Sequence, residues 1–210
     1  MKKAFVLAVD LDDVVGNYGE AFRRFVAADQ GRDPAELPDR EVWSFVNEAW
    51  RIPDEETYAQ LHRRAVVEGR LFRTMPEMPD AAATLWDLSD AGVWIRIVTH
   101  RMYVNWSHRA AVSDTVEWLE YGPPGAALGP GRRTFIPYRD ICFISDKPEV
   151  GAHLYLDDGP HNVLALREAG DQVLVYDQRY NRHLGGPRVH DWSEVGREVH
   201  AALARYQASA

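Results

Sequence analysis

The chain has 210 residues, 46% of them hydrophobic, enough for one sizeable core with a small module inserted into it. Acidic residues outnumber basic ones 32 to 24, for a formal net charge of -8, and no dense Lys/Arg run occurs. That balance argues against wrapping a nucleic acid polymer or sitting on an anionic membrane, although a local site can still hold a small anion. The lone cysteine, Cys142, excludes an intrachain disulfide and fits a reducing, cytoplasmic setting; its place in "ICFISD" reads as strand core.

In chain order, "MKKAFVLAV" imitates a secretory leader, but only six apolar residues precede Asp10, too few for one, and no later stretch approaches a membrane span. The same stretch, near 4–10, is the first of five predicted strands; the others lie near 93–99, 141–146, 153–158 and 172–177. All five are nearly continuously apolar, which predicts a parallel sheet covered on both faces. Helices are predicted between them at 79–92, 107–122 and 161–170, with a closing helix at 192–206. The pattern is that of a doubly wound α/β fold.

Between the first and second strands lie roughly eighty residues, far more than one crossover helix needs. Within them, 17–31 carries an Asn-x-x-Glu capping signal and a terminal Gly, and "DREVWSFVNEAW" (39–50) and "PDEETYAQLHRRAVVEG" (53–69) read as two further helices. The expected organisation is therefore a core of residues 1–16 and 80–210, with 17–79 inserted as a small helical module. "PPGAALGPGRR" (123–133) reads as a loop, because strands continue beyond it.

In an open parallel sheet, ligands bind at the carboxyl ends of the strands. Here those ends carry Asp10, Asp12 and Asp13, then Thr99-His100-Arg101, then Ser145-Asp146-Lys147, then Asp157-Asp158. Carboxylates from separate strands make an oxygen-rich site for a hard cation, and Mg²⁺ prefers a few carboxylates, water and a phosphate oxygen. A hydroxyl and a lysine can hold the remaining phosphate oxygens, and an Asp can serve as nucleophile while a second carboxyl moves a proton. Each element alone has an ordinary structural reading, as a turn, a cap or a solvated charge; their joint occurrence at four strand ends favours catalysis.

"VDLDDVV", the Thr of "IVTHR", the Lys of "ISDKPEV" and "YLDDGPHN" resemble, in order, the four motifs of haloacid dehalogenase (HAD) superfamily phosphatases. The ten-residue step from Lys147 to Asp157, the "DD-x-P-x-N" form of the fourth motif and the tail "YNRHLGGPRVHDWSEV" resemble most closely the 5'(3')-deoxyribonucleotidases. The resemblance implies a HAD-like Rossmannoid sheet with its helical cap after the first strand, and an Mg²⁺-dependent phosphomonoesterase acting on pyrimidine nucleoside monophosphates. It implies Asp10 as nucleophile, Asp12 as acid and then base, and Thr99 and Lys147 on the phosphate. Mg²⁺ would be held by Asp10, the backbone carbonyl of Asp12, and Asp157 or Asp158, with the choice between those two open. It also implies a homodimer.

Three positions depart from the family pattern. His100 stands where a small hydroxyl residue is common, Gly159 where some members carry Arg, and Asp13 where a small residue such as Gly is common; a solvated or hydrogen-bonded structural role is expected for Asp13. Among the eight histidines no zinc-binding spacing occurs. His100 is a candidate substrate contact, though for both His100 and His161 a loop or capping role is the ordinary expectation. In the inserted module, Tyr18, Trp43, Phe45 and Trp50 supply aromatic area, part of it for the module's own core. Tyr18 and then Trp43 are the candidates to stack on a nucleobase. Competing readings are a phosphatase for another small ester such as a sugar phosphate, a silent phospholigand binder, and a receiver-type phosphorylation switch. In a receiver, however, the phosphoacceptor lies in a middle strand and the lysine comes last.

Overall fold

The computed structural model describes residues 4–101 and 108–209. Among these, six parallel strands form one sheet in the order β3-β2-β1-β4-β5-β6: Val6–Val9, Trp94–Thr99, Asp140–Phe143, Leu154–Asp157, Val173–Tyr176 and Arg188–Val189, numbered along the chain. The first five match the apolar runs. The sixth was not anticipated: two residues are too short to show a period, and only pairing to β5, Val175 with Arg188 and Tyr176 with Val189, defines it.

Apolar residues pack on both faces. Leu7, Val9, Ile95, Ile97 and Leu156 point into a cluster built with the helices α4 (Ala81–Asp90) and α7 (Trp192–Ser209), while Ala8, Val98, Tyr155 and Val175 face one built with α6 (Pro160–Glu168). This two-sided burial is why the strands lack alternation. Cys142 lies in edge strand β3 and is only partly buried. The predicted 107–122 helix is α5 (His108–Tyr121); Ser107 lies outside the described residues. No described helix is long and apolar enough to cross a membrane.

The stretch between β1 and β2 builds its own cluster, in which Phe22, Val26, Ile52, Ala65 and Val66 are fully buried. Its helix α1 (Tyr18–Asp29) begins where Asn17 accepts a hydrogen bond from Glu20 N at 3.1 Å, and α2 (Glu55–Val67) where Asp54 accepts from Thr57 N at 2.8 Å. A short α3 (Leu71–Thr74) follows. The helix predicted over 39–50 is not formed: only Glu48–Trp50 makes a 3₁₀ turn, and the rest is an irregular strap. Local side chains take the backbone donors that a helix needs. Ser44 Oγ accepts from Val46 N at 3.0 Å and Asn47 Oδ1 from Ala49 N at 2.8 Å, while Arg51 turns left-handed at φ 54°.

Candidate active site

The chain runs from β1 outward through β2 and β3, then returns to lay β4 on the other side of β1, so the strand order reverses between β1 and β4. A crevice opens at such a switch point. Asp10 leaves β1 with its N–H still bonded to Leu156 O at 3.0 Å, and Asp157 closes β4 beside it. The following loop is tight. Leu11 O accepts from Val15 N at 3.0 Å and Gly16 N at 2.9 Å, and a Cβ on Gly16 would lie 2.2 Å from Met75 Cε.

At the floor, Lys147 Nζ sits 2.9 Å from Asp10 Oδ1 and 2.6 Å from Asp157 Oδ2. Burial opposes the ammonium charge, but the two carboxylates outweigh it and hold the Lys147 pKa above its usual range. Asp10 moves the other way from an ordinary carboxylate, up to about 7: burial is the largest cause, and Asp157 and Asp12 add to it against the lowering pull of Lys147. One ammonium is too little for this much carboxylate.

Asp157 and Asp158 differ in how their oxygens are used. Both oxygens of Asp157 are taken, Oδ2 by Lys147 and Oδ1 by Gly159 N at 2.9 Å and Asn162 Nδ2 at 3.1 Å. Asp158 Oδ2 accepts from the Tyr180 hydroxyl, while its buried Oδ1 has no hydrogen-bond partner among the described residues. Burial, with Asp10 and Asp157 nearby, pushes the Asp158 pKa well up. Oxygens of Asp10, Asp157 and Asp158 all lie within 4.8 Å of one another. A buried, unpartnered carboxylate oxygen in such a group fits a hard cation.

Thr99, at the end of β2, is fully buried, and its Oγ1 likewise has no partner among the described residues. His100 lines the crevice, and burial, then Lys147 and His161, lower its pKa. Asp13 is a structural hub. It adopts φ 57°, a left-handed backbone that glycine takes most readily, and is buried. Its carboxylate accepts from Gly19 N at 2.6 Å and Arg40 Nη2 at 2.7 Å, which matches the structural role expected from sequence.

A cavity of about 510 Å³ rises from Asp10, Asp12, Lys147 and Asp158 to Tyr18, Phe45, Tyr58, His62 and Phe72 of the insertion. Tyr18 is buried, stacked on Phe22 and edge-on to Phe45, so most of its ring serves the insertion's own core. Trp43 is 43% exposed and meets His161 and Tyr180 edge-on across the crevice. Gly159 makes room for the Asn162 amide: a Cβ there would lie 2.9 Å from Asn162 Nδ2, while Trp43 at 3.4 Å would be in ordinary contact.

Several site residues carried no sequence signal of their own. Arg40 is held between Phe45 and Tyr180, its guanidinium carbon 4.1 Å from each ring centre, and donates to Asp13. The turn after β5 clamps both acidic loops: Gln178 Nε2 donates to Asp13 O at 2.7 Å, Tyr180 to Asp158, and Asn181 Nδ2 to Asp158 O at 2.9 Å. Tyr180 opens the tail segment singled out from sequence, which was the one available pointer. His62, half-buried in the cavity wall, is pushed down to about 4 by burial.

Residues 4–206 match the family model described as "5' nucleotidase, deoxy (Pyrimidine), cytosolic type C protein". A "Putative 5'(3')-deoxyribonucleotidase" of Chlorobaculum tepidum is 35% identical over 195 residues, covering 92% of this chain and 89% of that one. Among solved structures, a haloacid dehalogenase-like hydrolase from Streptococcus pneumoniae superposes with a TM-score of 0.56 at 13% identity, over 95% of this chain and 100% of that one. CbbY from Rhodobacter sphaeroides, in complex with phosphate, superposes with a TM-score of 0.54 at 16% identity, over 92% and 97% of the two chains. These two show the shared fold.

Proposed function

We propose, from the premise that the chain belongs to the cytosolic type C 5'-nucleotidase family of HAD-fold phosphatases, that it is an Mg²⁺-dependent phosphomonoesterase for pyrimidine deoxyribonucleoside monophosphates, working through an aspartyl phosphate. One observation carries this reading: a single cavity joins the Asp10, Asp12, Lys147 and Asp158 floor to an aromatic roof, at a size suited to a small ligand.

In the first step an Asp10 carboxylate oxygen attacks phosphorus, the bond from phosphorus to the ester oxygen breaks, and that oxygen takes its proton from Asp12. In the second, water attacks phosphorus, its proton passes to Asp12, and the electron pair of the phosphorus–Asp10 bond returns to the carboxylate. The Thr99 hydroxyl and Lys147 hold the phosphate oxygens, and Lys147 balances the carboxylates. Asp10, the Asp12 carbonyl and Asp158 would hold Mg²⁺, with Asp157 fixing Lys147 rather than binding the ion. The ion would neutralise phosphate charge that the lone ammonium leaves uncompensated. Residues 17–79 act as the cap, shielding the reaction from water, with Trp43 and Tyr18 against the base.

The test is a phosphate-release screen over nucleoside monophosphates and sugar phosphates, with Mg²⁺ and with a chelator. Pyrimidine deoxynucleotides are expected to turn over fastest and only with the ion. Strong turnover of a sugar phosphate with none of any nucleotide would remove the substrate claim, and no turnover of any ester would leave a binder.

A further inference from the structure

Asp12, the proposed proton carrier, has a partner to which the scheme above gives no role. Arg101 stands two residues beyond Thr99 and is 3% exposed. Its Nη2 lies 2.6 Å from Asp12 Oδ1 and its Nε 3.3 Å from Oδ2, so one guanidinium covers both carboxylate oxygens. Nη1 donates to Thr115 Oγ1 at 2.9 Å, and Thr115 in turn donates to Ala111 O at 2.7 Å on α5. Nη2 also reaches Met75 Sδ at 3.2 Å, and the guanidinium carbon stacks 4.2 Å from the centre of the Phe72 ring.

A planar fork engaged through all three nitrogens and packed on a ring is restricted to essentially one placement. Its partner is different: the Asp12 side chain is 32% exposed and lines the cavity. A fixed, buried cation thus grips a carboxylate that faces the substrate space. The grip spans the molecule, since Asp12 follows β1, Arg101 follows β2, Thr115 lies on α5, and Phe72 and Met75 belong to the end of the insertion. No other described cation reaches Asp12 within ion-pair distance.

We propose that Arg101 is a positioning residue, which holds Asp12 in the orientation from which it passes protons to the leaving oxygen and takes them from the hydrolytic water. The inference rests on the phosphomonoesterase reading. Proton transfer requires the carboxylate within hydrogen-bond reach of the moving proton, and without the guanidinium the Asp12 side chain is free to turn into the cavity or toward solvent.

The test uses p-nitrophenyl phosphate with Mg²⁺, because its leaving group needs no proton and the second step is thereby isolated. Nitrophenolate and phosphate release are followed together, with intact mass reporting phosphoryl enzyme, in wild type, Arg101→Met, Asp12→Asn and the double variant. Arg101→Met is expected to release its first nitrophenolate within about threefold of the wild-type rate, while steady-state phosphate release falls about 10²-fold and phosphoryl enzyme accumulates. KM falls in step with the steady-state rate, so that kcat/KM, which reports the first step, stays near wild type. Adding Arg101→Met to Asp12→Asn is expected to cost nothing further, because the two residues act as one unit. Arg101→Lys, with a single donor head, restores part of the rate.

A raised KM, a slowed first step or an additive loss in the double variant would each show Arg101 to be a substrate contact or scaffold, and overturn the proposal. If Arg101→Met does not fold, Thr115→Val carries the test by removing the anchor of Nη1. It should show the same accumulation of phosphoryl enzyme to a lesser degree, and equal loss of both steps, or of neither, counts against the proposal. A wild-type protein inert toward p-nitrophenyl phosphate and every nucleotide overturns the phosphatase reading itself, and the role of Arg101 with it.

Discussion

The floor and the roof of the cavity are built on opposite principles. At the floor, buried carboxylates gather round one ammonium: Lys147 is 2% exposed between Asp10 and Asp157, and Asp157 has both oxygens occupied. At the roof, contacts are aromatic and apolar, and Trp43 stands 43% exposed on an irregular strap. Buried charges tolerate little displacement, because a lost partner leaves an uncompensated charge in low dielectric. Aromatic faces are more permissive, since stacking needs a surface rather than fixed donor positions. In the proposed function, chemistry would rest on the paired, buried part and recognition on the aromatic one, with Arg40–Asp13 and Arg101–Phe72 joining them.

Substitutions at the floor should therefore act on rate, and those at the roof on binding. The largest effect is expected for Asp10→Asn, which should lower turnover by at least about 10⁴-fold with every ester tested. Near-normal rates in this variant would remove Asp10 as nucleophile. Next comes Tyr180→Phe, which frees Asp158 Oδ2 and should weaken Mg²⁺ about 10-fold or more, read by calorimetric titration of the ion into the protein. Unchanged ion affinity would make the tyrosine a packing residue only. At the roof, Trp43→Ala should raise KM for a pyrimidine deoxynucleotide about 10-fold while leaving p-nitrophenyl phosphate nearly unaffected. Equal effects on both substrates would undo the stacking role.

The smallest effect concerns stability. His62 titrates near 4 in the folded chain against 6.5 unfolded, so protons bind preferentially to the unfolded state as pH falls below 6.5. The stability that neutral His62 confers is complete above that pH and is lost progressively down to about 4. Between pH 7 and 5.5 the loss is about 1 kcal/mol, or roughly 2–4 °C in Tm. His62→Phe should show a correspondingly shallower fall in Tm over this interval; an identical slope would mean that the histidine titrates normally.

The same division governs what was legible in the sequence. Asp10, Asp12, Thr99, Lys147 and Asp157-Asp158 were visible because strand ends announce themselves by apolar runs that stop abruptly at polar residues. Asp10, Asp12, Lys147 and the Asp157-Asp158 pair come together where β1 and β4 part, and Thr99 ends the neighbouring strand β2. The roof has no such grammar. Residues 39–50 carry helical spacing, yet Ser44 and Asn47 take up local backbone donors and the segment becomes a strap. Arg40 was hidden, and Arg101 and Tyr180 showed only as members of a strand end and of the tail segment, because a lone Arg or Tyr becomes informative only once folding shows which carboxylate it meets. The unequal roles of Asp157 and Asp158 also required coordinates, since only hydrogen-bond partners distinguish adjacent identical residues.

The central claim is that phosphate passes through Asp10. It is tested most directly in Asp12→Asn, which can receive a phosphoryl group from p-nitrophenyl phosphate but cannot activate the water that removes it. Quenching this variant in acid after mixing with substrate and Mg²⁺, then mapping its peptides by mass, should find one phosphoryl group on Asp10 and one nitrophenolate released per site without matching phosphate. Nitrophenolate and phosphate appearing in equal amounts from an unmodified chain would contradict the account.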